Sequence, residues 1–154
     1  MKAICLIDTS IFVNILNVPN KSQEHAEVLS EMKQKIQEQE VMFLPMATLF
    51  ETGNHIGQNG DGNQRRECAK RFVKQLQLAL DGNSPFTPID FVEADKMQQW
   101  VSEFPDWATQ RRSGLGDLSI VQDWKRLCEK NKGRRVYIWS LDKELQSYDQ
   151  KSTL

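Results

Sequence analysis

Cysteine is scarce in this chain of 154 residues. The three cysteines, Cys5, Cys68 and Cys128, are far apart, odd in number and free of C-x-x-C spacing. This pattern argues against a disulfide framework and against a cysteine-ligated zinc site, and it fits a reducing compartment. We therefore expect a cytoplasmic protein.

The sequence also lacks a charge excess and a long apolar run. Lys and Arg number 20 against 21 Asp and Glu, which gives a formal net charge of -1. This balance excludes a uniformly basic nucleic-acid coat but leaves room for a local basic patch. No stretch approaches the ~20 apolar residues of a membrane span, so no membrane partner is expected. With 39% hydrophobic residues, the chain is expected to form one globular domain over residues 1–154.

Short apolar runs alternate with amphipathic stretches along the chain. The apolar runs predict strands at 3–7, 41–45, 85–89 and 136–139. The amphipathic stretches predict helices at 10–16, 22–40, 46–56, 64–81, 92–104 and 117–130, with a loop over 105–116 and a short helix near the end. This alternation predicts an α/β fold, a three-layer α/β/α sandwich around a central parallel sheet.

Acidic residues stand where such a sheet forms its sites, which is the edge at which the strands end. Asp8 follows the first strand, and Asp142 follows the last one. Glu51 lies in the helix after the second strand, and Asp117 begins a later helix. A parallel sheet can therefore bring all four carboxylates to one edge.

Carboxylates gathered in this way repel one another unless a cation lies between them. Mg²⁺ and Mn²⁺ prefer oxygen ligands and are typically held by a few carboxylates, water and a substrate phosphate. The set therefore predicts a Mg²⁺ or Mn²⁺ site and metal-assisted attack on a phosphodiester. Taken singly, Asp8, Asp117 and Asp142 also have a plainer interpretation as acids at helix N-termini.

Four segments resemble the PIN-domain nucleases, a family that includes the toxin subunits of bacterial VapBC toxin–antitoxin pairs. They are I-C-L-I-D-T-S, L-F-E-T, G-L-G-D-L-S-I-V and V-Y-I-W-S-L-D-K. The resemblance implies a metal-dependent endoribonuclease that hydrolyses RNA, with an antitoxin and a second copy of the chain as further partners. It implies that the catalytic residues, which also bind Mg²⁺ or Mn²⁺, are Asp8, Glu51, Asp117 and Asp142. Ser10 and Ser140 match positions where the family carries a hydroxyl that orients the acids or their waters.

Two residues follow Glu51 at helical spacing. Asn54 and His55 lie three and four positions after it, hence on its side of the helix. Asn54 is predicted to support the site, although a plain surface or core role is the alternative for both.

Basic residues form two groups of interest. Arg111 and Arg112 precede the loop that leads to Asp117, and we predict that they bind RNA phosphates. A second group lies at positions i, i+4 and i+8 of one predicted helix and is either an RNA-binding stripe or a solvated face: Arg66, Lys70 and Lys74.

Two other classes of protein compete with the nuclease. One is a catalytically inactive PIN-like module that binds RNA or a protein, and metal binding with cleavage separates it from the enzyme. The other is a phosphotransfer domain of the receiver or phosphatase type. That class fits less well, because it would place a second acid two residues after Asp8, where the sequence has Ser10.

Overall fold

A five-stranded sheet forms the centre of the computed structural model, which describes residues 2–90, 92–111 and 113–153. The strands are β1 Ile4–Ile7, β2 Val41–Leu44, β3 Phe86–Pro88, β4 Val136–Trp139 and β5 Asp149–Gln150. They lie in the order β3-β2-β1-β4-β5. The first four are parallel, and β5 pairs antiparallel with β4.

Helices flank this sheet, so the predicted α/β/α fold is confirmed. The helices of the described residues are α1 Thr9–Ile15, α2 His25–Gln37, α3 Met46–Gly57, α4 Gly62–Leu80, α5 Ala94–Arg111, α6 Leu115–Lys130 and α7 Lys143–Gln146. The ends of these helices differ from the predicted ends by a few residues, and the difference is larger for the C-terminal end of α5. No helix in the described ranges combines the length and the apolar character that crossing a bilayer requires.

Helix α5 corrects the sequence prediction, because it continues through residues 105–111, where the pattern predicts a loop. Pro105 lies inside this helix, although proline removes a backbone hydrogen bond there. Two contacts favour the longer helix. The Trp107 ring packs against the buried cluster that contains Ile120 and Ile138, and the Thr109 hydroxyl donates to the carbonyl of Pro105 at 2.9 Å. Tertiary packing thus outweighs the local preference of proline.

The buried strands anchor the helices that matter for the site. All four residues of β1 are buried, which explains its unbroken apolar sequence. The buried hydroxyl of Thr48, in the first turn of α3, donates to the carbonyl of Ile7 at 2.7 Å. This bond fixes the beginning of α3 against the end of β1. Trp139 is buried at the end of β4.

Candidate functional site

A cavity of about 340 Å³ opens where β1 and β4 end, and we call it the acidic cavity. All four acids of the sequence prediction line it: Asp8, Glu51, Asp117 and Asp142. The topology explains how they meet. β1 and β4 are neighbours in the sheet with Ile7 opposite Trp139, so the residues that follow the two strands emerge side by side. Helices α3 and α6 bring the other two acids.

Two serine hydroxyls orient the carboxylate of Asp8. Ser10 Oγ and Ser140 Oγ both donate to Asp8 Oδ2, each at 2.8 Å. Asp8 is only 5% exposed and occupies the N-cap position of α1, but its side chain makes no capping hydrogen bond there. Helix capping therefore does not account for this buried aspartate.

The same hydroxyls also bind the backbone after β4. Ser10 Oγ accepts the N–H of Leu141 at 3.0 Å, and Ser140 Oγ accepts the N–H of Asp142 at 2.9 Å. Asp142 in turn caps α7, because its carboxylate accepts the N–H of Glu144 at 2.8 Å. For Asp142 the plainer interpretation is thus realised, and the residue also lines the acidic cavity.

Glu51 enters the acidic cavity from α3 in close contact with α6. Thr9 Oγ1 donates to Glu51 Oε2 at 2.9 Å. A Cβ atom added to Gly116 would overlap Glu51 Oε1, so a side chain here would displace this carboxylate from its observed position. Burial raises the pKa of Glu51, the Thr9 hydroxyl lowers it, and the charges of Asp117 and Asp8 raise it further.

Asp117 is the third residue of α6, where the helix N-terminus favours a negative charge. The hydroxyl of Ser113 donates to its carboxylate. Burial raises the pKa of Asp117, the bond from Ser113 lowers it, and the charges of Asp8, Asp142 and Glu144 raise it further. The acidic cavity therefore holds carboxylates that destabilise one another in their charged form.

The chemistry of these side chains fits a hard divalent cation. The acids and the hydroxyls of the acidic cavity offer oxygen atoms, and a cation would offset the burial and the mutual repulsion that raise the pKa of Glu51 and Asp117. Within the described ranges, no three Asp, Glu, His or Cys side chains form a group that could hold a metal ion as they stand. The acids thus share one cavity without forming a finished metal site.

The two residues after Glu51 have different positions. Asn54 is exposed and does not line the acidic cavity, whereas His55 does. The Nδ1 atom of His55 is buried without a hydrogen-bond partner. Burial, and then the positive charge of Lys21 on the same cavity wall, lower the pKa of His55 and favour its neutral form.

Arg111 ends α5 outside the lining of the acidic cavity. Its guanidinium lies 5.3 Å from the ring centroid of Trp107 and 5.8 Å from that of Tyr148, within cation–π range of both. Arg112, the second predicted RNA-binding arginine, lies outside the residues that the structure describes.

Sequence reasoning missed several residues of the site, namely Thr9, Lys21, Ser113 and Gly116. Thr9 stands between Asp8 and Ser10, so its place next to a candidate ligand was its only signal. Ser113 lies four positions before Asp117, one more than the separation in a capping box, so that motif does not identify it.

The fold and the acidic cavity define a class, the α/β/α domain with carboxylates at the carboxyl edge of its parallel strands. The family model described as the PIN domain matches residues 5–123, and the chain belongs to that family. PIN domains are typically nucleases and generally use divalent metal ions. Three of the acids lie inside the match, and Asp142 follows it. No curated protein and no solved structure matched the chain.

Proposed function

We propose that this PIN domain is a metal-dependent endoribonuclease and that the acidic cavity is its active site. One observation carries the proposal: four carboxylates line one cavity at the sheet edge, and burial together with mutual repulsion raises the pKa of Glu51 and Asp117. Buried carboxylates that have only a structural role are usually paired with positively charged side chains. A cavity that keeps them together is suited to a cation as ligand.

Asp8, Glu51, Asp117 and Asp142 would hold Mg²⁺ or Mn²⁺. When bound, such a cation supplies Lewis-acid stabilisation of the negative charge that develops as a water attacks the phosphodiester. The chain supplies the alignment of the acids. Ser10 and Ser140 bind the same oxygen of Asp8, so Oδ1 is the atom left for a ligand.

Cations near the acidic cavity would bind the RNA backbone. Lys21 lines the cavity and is exposed, so it is the described lysine best placed to meet a phosphate there. We also propose that Arg111 and Arg112 bind RNA phosphates. The contacts of Arg111 with Trp107 and Tyr148 would hold its exposed guanidinium ready for a phosphate oxygen.

The first test is calorimetric titration of Mn²⁺ into the wild type and into Asp117→Asn at neutral pH. We expect binding by the wild type that the variant loses. The matched control is Asp106→Asn, which makes the same charge change at an exposed position of α5 and should bind as the wild type does. Absence of binding by the wild type at high protein concentration would favour the inactive binding module.

We further propose that the enzyme is the toxin of a toxin–antitoxin pair. What supports a protein partner is an apolar pocket of about 360 Å³ next to the acidic cavity, since Glu51 lines both. Exposed apolar side chains form its walls: Phe50, Met97, Val101 and Leu115. An antitoxin segment bound in this pocket would cover Glu51.

Growth of cells that express the chain tests the toxin role. We expect arrest with the wild type, no arrest with Asp117→Asn, and arrest with Asp106→Asn at the same protein level. Normal growth with soluble, metal-binding wild type would contradict a toxin and leave the nuclease proposal untouched.

A further inference from the structure

A second groove, of about 680 Å³, lies between α3 and α4 and is distinct from the acidic cavity. Helix α3 separates the two. Glu51 and His55 line the acidic cavity, whereas Gly53 and Gly57 line this groove. At ~100° per residue these pairs occupy different sides of the helix. Of the described residues that line the groove, none is acidic and four are cationic: Arg65, Arg66, Lys70 and Lys74.

The charge of this surface, which we call the basic groove, is poorly neutralised. Arg66, Lys70 and Lys74 are exposed. Lys70 lies 3.4 Å from Glu67 Oε1, but with 59% and 65% of the two side chains exposed the pair is weak. In a chain whose formal net charge is -1, the basic groove is therefore a local concentration of positive charge.

Two of the glycines that line the basic groove, Gly53 and Gly57, have no structural explanation among the described residues. A Cβ atom added to Gly53 or Gly57 would meet nothing within 4 Å, and neither residue has a positive φ. Glycine is nevertheless among the poorest helix formers, and both residues belong to α3. Their effect is an open groove floor, to which another chain can come close.

We propose that the basic groove binds the phosphodiester backbone of the RNA strand whose cleavage site lies in the acidic cavity. The second half of this statement rests on the proposed function. Without a bound cation, the acidic cavity sets five acidic residues against the positive charge of Lys21, so further cations elsewhere are needed to attract a polyanion. The basic groove supplies these cations on the opposite side of α3 from the acidic cavity. Its glycine floor leaves room for a sugar–phosphate chain.

Salt-dependent binding tests the proposal. The probe is a fluorescent oligouridine long enough to span both sites, titrated with protein in EDTA over a range of salt concentrations. Lys70→Gln/Lys74→Gln is compared with Lys33→Gln/Lys125→Gln, which removes the same charge from exposed positions on α2 and α6. We expect the groove variant to lower the log–log salt slope by about 1.4, because each phosphate contact on a single strand contributes about 0.7. The control should keep the wild-type slope.

Gly53→Gln provides a readout that a structural glycine would not give. Since the added Cβ atom would meet nothing within 4 Å and glutamine is a better helix former than glycine, we expect the Tm to rise by about 1–3 °C. The side chain would fill the groove floor, so the RNA affinity should fall severalfold. A lower Tm would mean that the fold requires this glycine.

Two results would overturn the proposal. One is an equal salt slope for the groove variant and its control. The other is tighter binding of poly-glutamate than of RNA with equal charge, which would make an acidic protein segment the occupant. Failure of the enzyme proposal has a different signature: the wild type would bind no Mn²⁺, yet the groove variant would still lose RNA binding, which supports the basic groove on its own.

Discussion

Replacement of Ser140 by alanine tests the hydrogen bonds that hold the acidic cavity together. Ser140 is buried, with only 4% of the residue exposed. It donates to Asp8 Oδ2 at 2.8 Å and accepts the N–H of Asp142 at 2.9 Å. Alanine removes both bonds with little change in volume, so the stability loss reports the bonds themselves.

The magnitude follows from the two partners. A hydrogen bond to a charged group contributes about 1.5–3 kcal/mol. Ser10 still donates to Asp8 Oδ2, which reduces the loss at the carboxylate. The N–H of Asp142 belongs to an exposed residue, so water can replace the lost hydroxyl there and this bond adds little. We therefore expect Ser140→Ala to lower the free energy of unfolding by about 1–3 kcal/mol. For a chain of this size the Tm would fall by roughly 2–12 °C.

Urea unfolding in EDTA at neutral pH measures this difference without a contribution from bound cations. The control is Ser102→Ala on α5, where an exposed serine donates to the carbonyl of Gln99 at 2.7 Å and should cost less than about 0.5 kcal/mol. A double-mutant cycle with Asp8→Asn should give a coupling energy above about 0.5 kcal/mol, because the amide is a weaker acceptor. A Ser140 variant as stable as the Ser102 control would refute this reasoning.

Three further predictions concern single residues. Because alanine favours a helix more than glycine does, Gly116→Ala should leave the Tm unchanged or slightly higher. It should nevertheless weaken Mn²⁺ binding at least ~10-fold in calorimetry, because the new Cβ displaces the Glu51 carboxylate. Unchanged binding would mean that Glu51 is not a ligand. Asp117→Asn should raise the free energy of unfolding in EDTA at neutral pH by up to about 1 kcal/mol. The pKa of Asp117 is raised in the folded state, so its charged carboxylate destabilises the fold only above that pKa. The stability gain of Asp117→Asn should therefore disappear when the urea titration is repeated at a pH below that pKa. A gain that persists in acid would exclude charge repulsion as its cause. Burial raises the pKa of the Cys5 thiol to about 12, so mass spectrometry should show alkylation of Cys5 only at the rate of global unfolding, and rapid labelling of folded protein would contradict its burial.

Elements with a strong apolar signal could be predicted from the sequence. The unbroken runs of β1, β2 and β4 identify buried strands, and the structure places all three within a residue or so of the prediction. β5 has two residues, too few for any periodicity, and its existence depends on pairing with β4. The predicted end of α5 was wrong for a related reason. Trp107 packs against residues far away in the sequence, and this packing outweighs the tendency of Pro105 to end a helix.

The candidate site could likewise be predicted in part: the positions of the acids could be, but the contacts set by helix packing could not. Asp8 and Asp142 were identifiable because they follow strands, and the sheet order brings them together. Helical periodicity places both Asn54 and His55 near Glu51, but only the packing of α3 decides that His55 faces the acidic cavity. The fit of Glu51 against Gly116 depends on the spacing between α3 and α6, which no local pattern contains.

The two edges of the sheet restrict how this domain can assemble. β3 has three residues and ends in Pro88, which has no N–H to donate. β5 has two residues, and Arg135 and Lys151 bind the carboxylate of its Asp149. Such short edges are poor templates for strand addition, which disfavours assembly with a second copy or another protein by extension of the sheet. Variants that alter assembly should therefore be sought first among exposed helical side chains such as Val101.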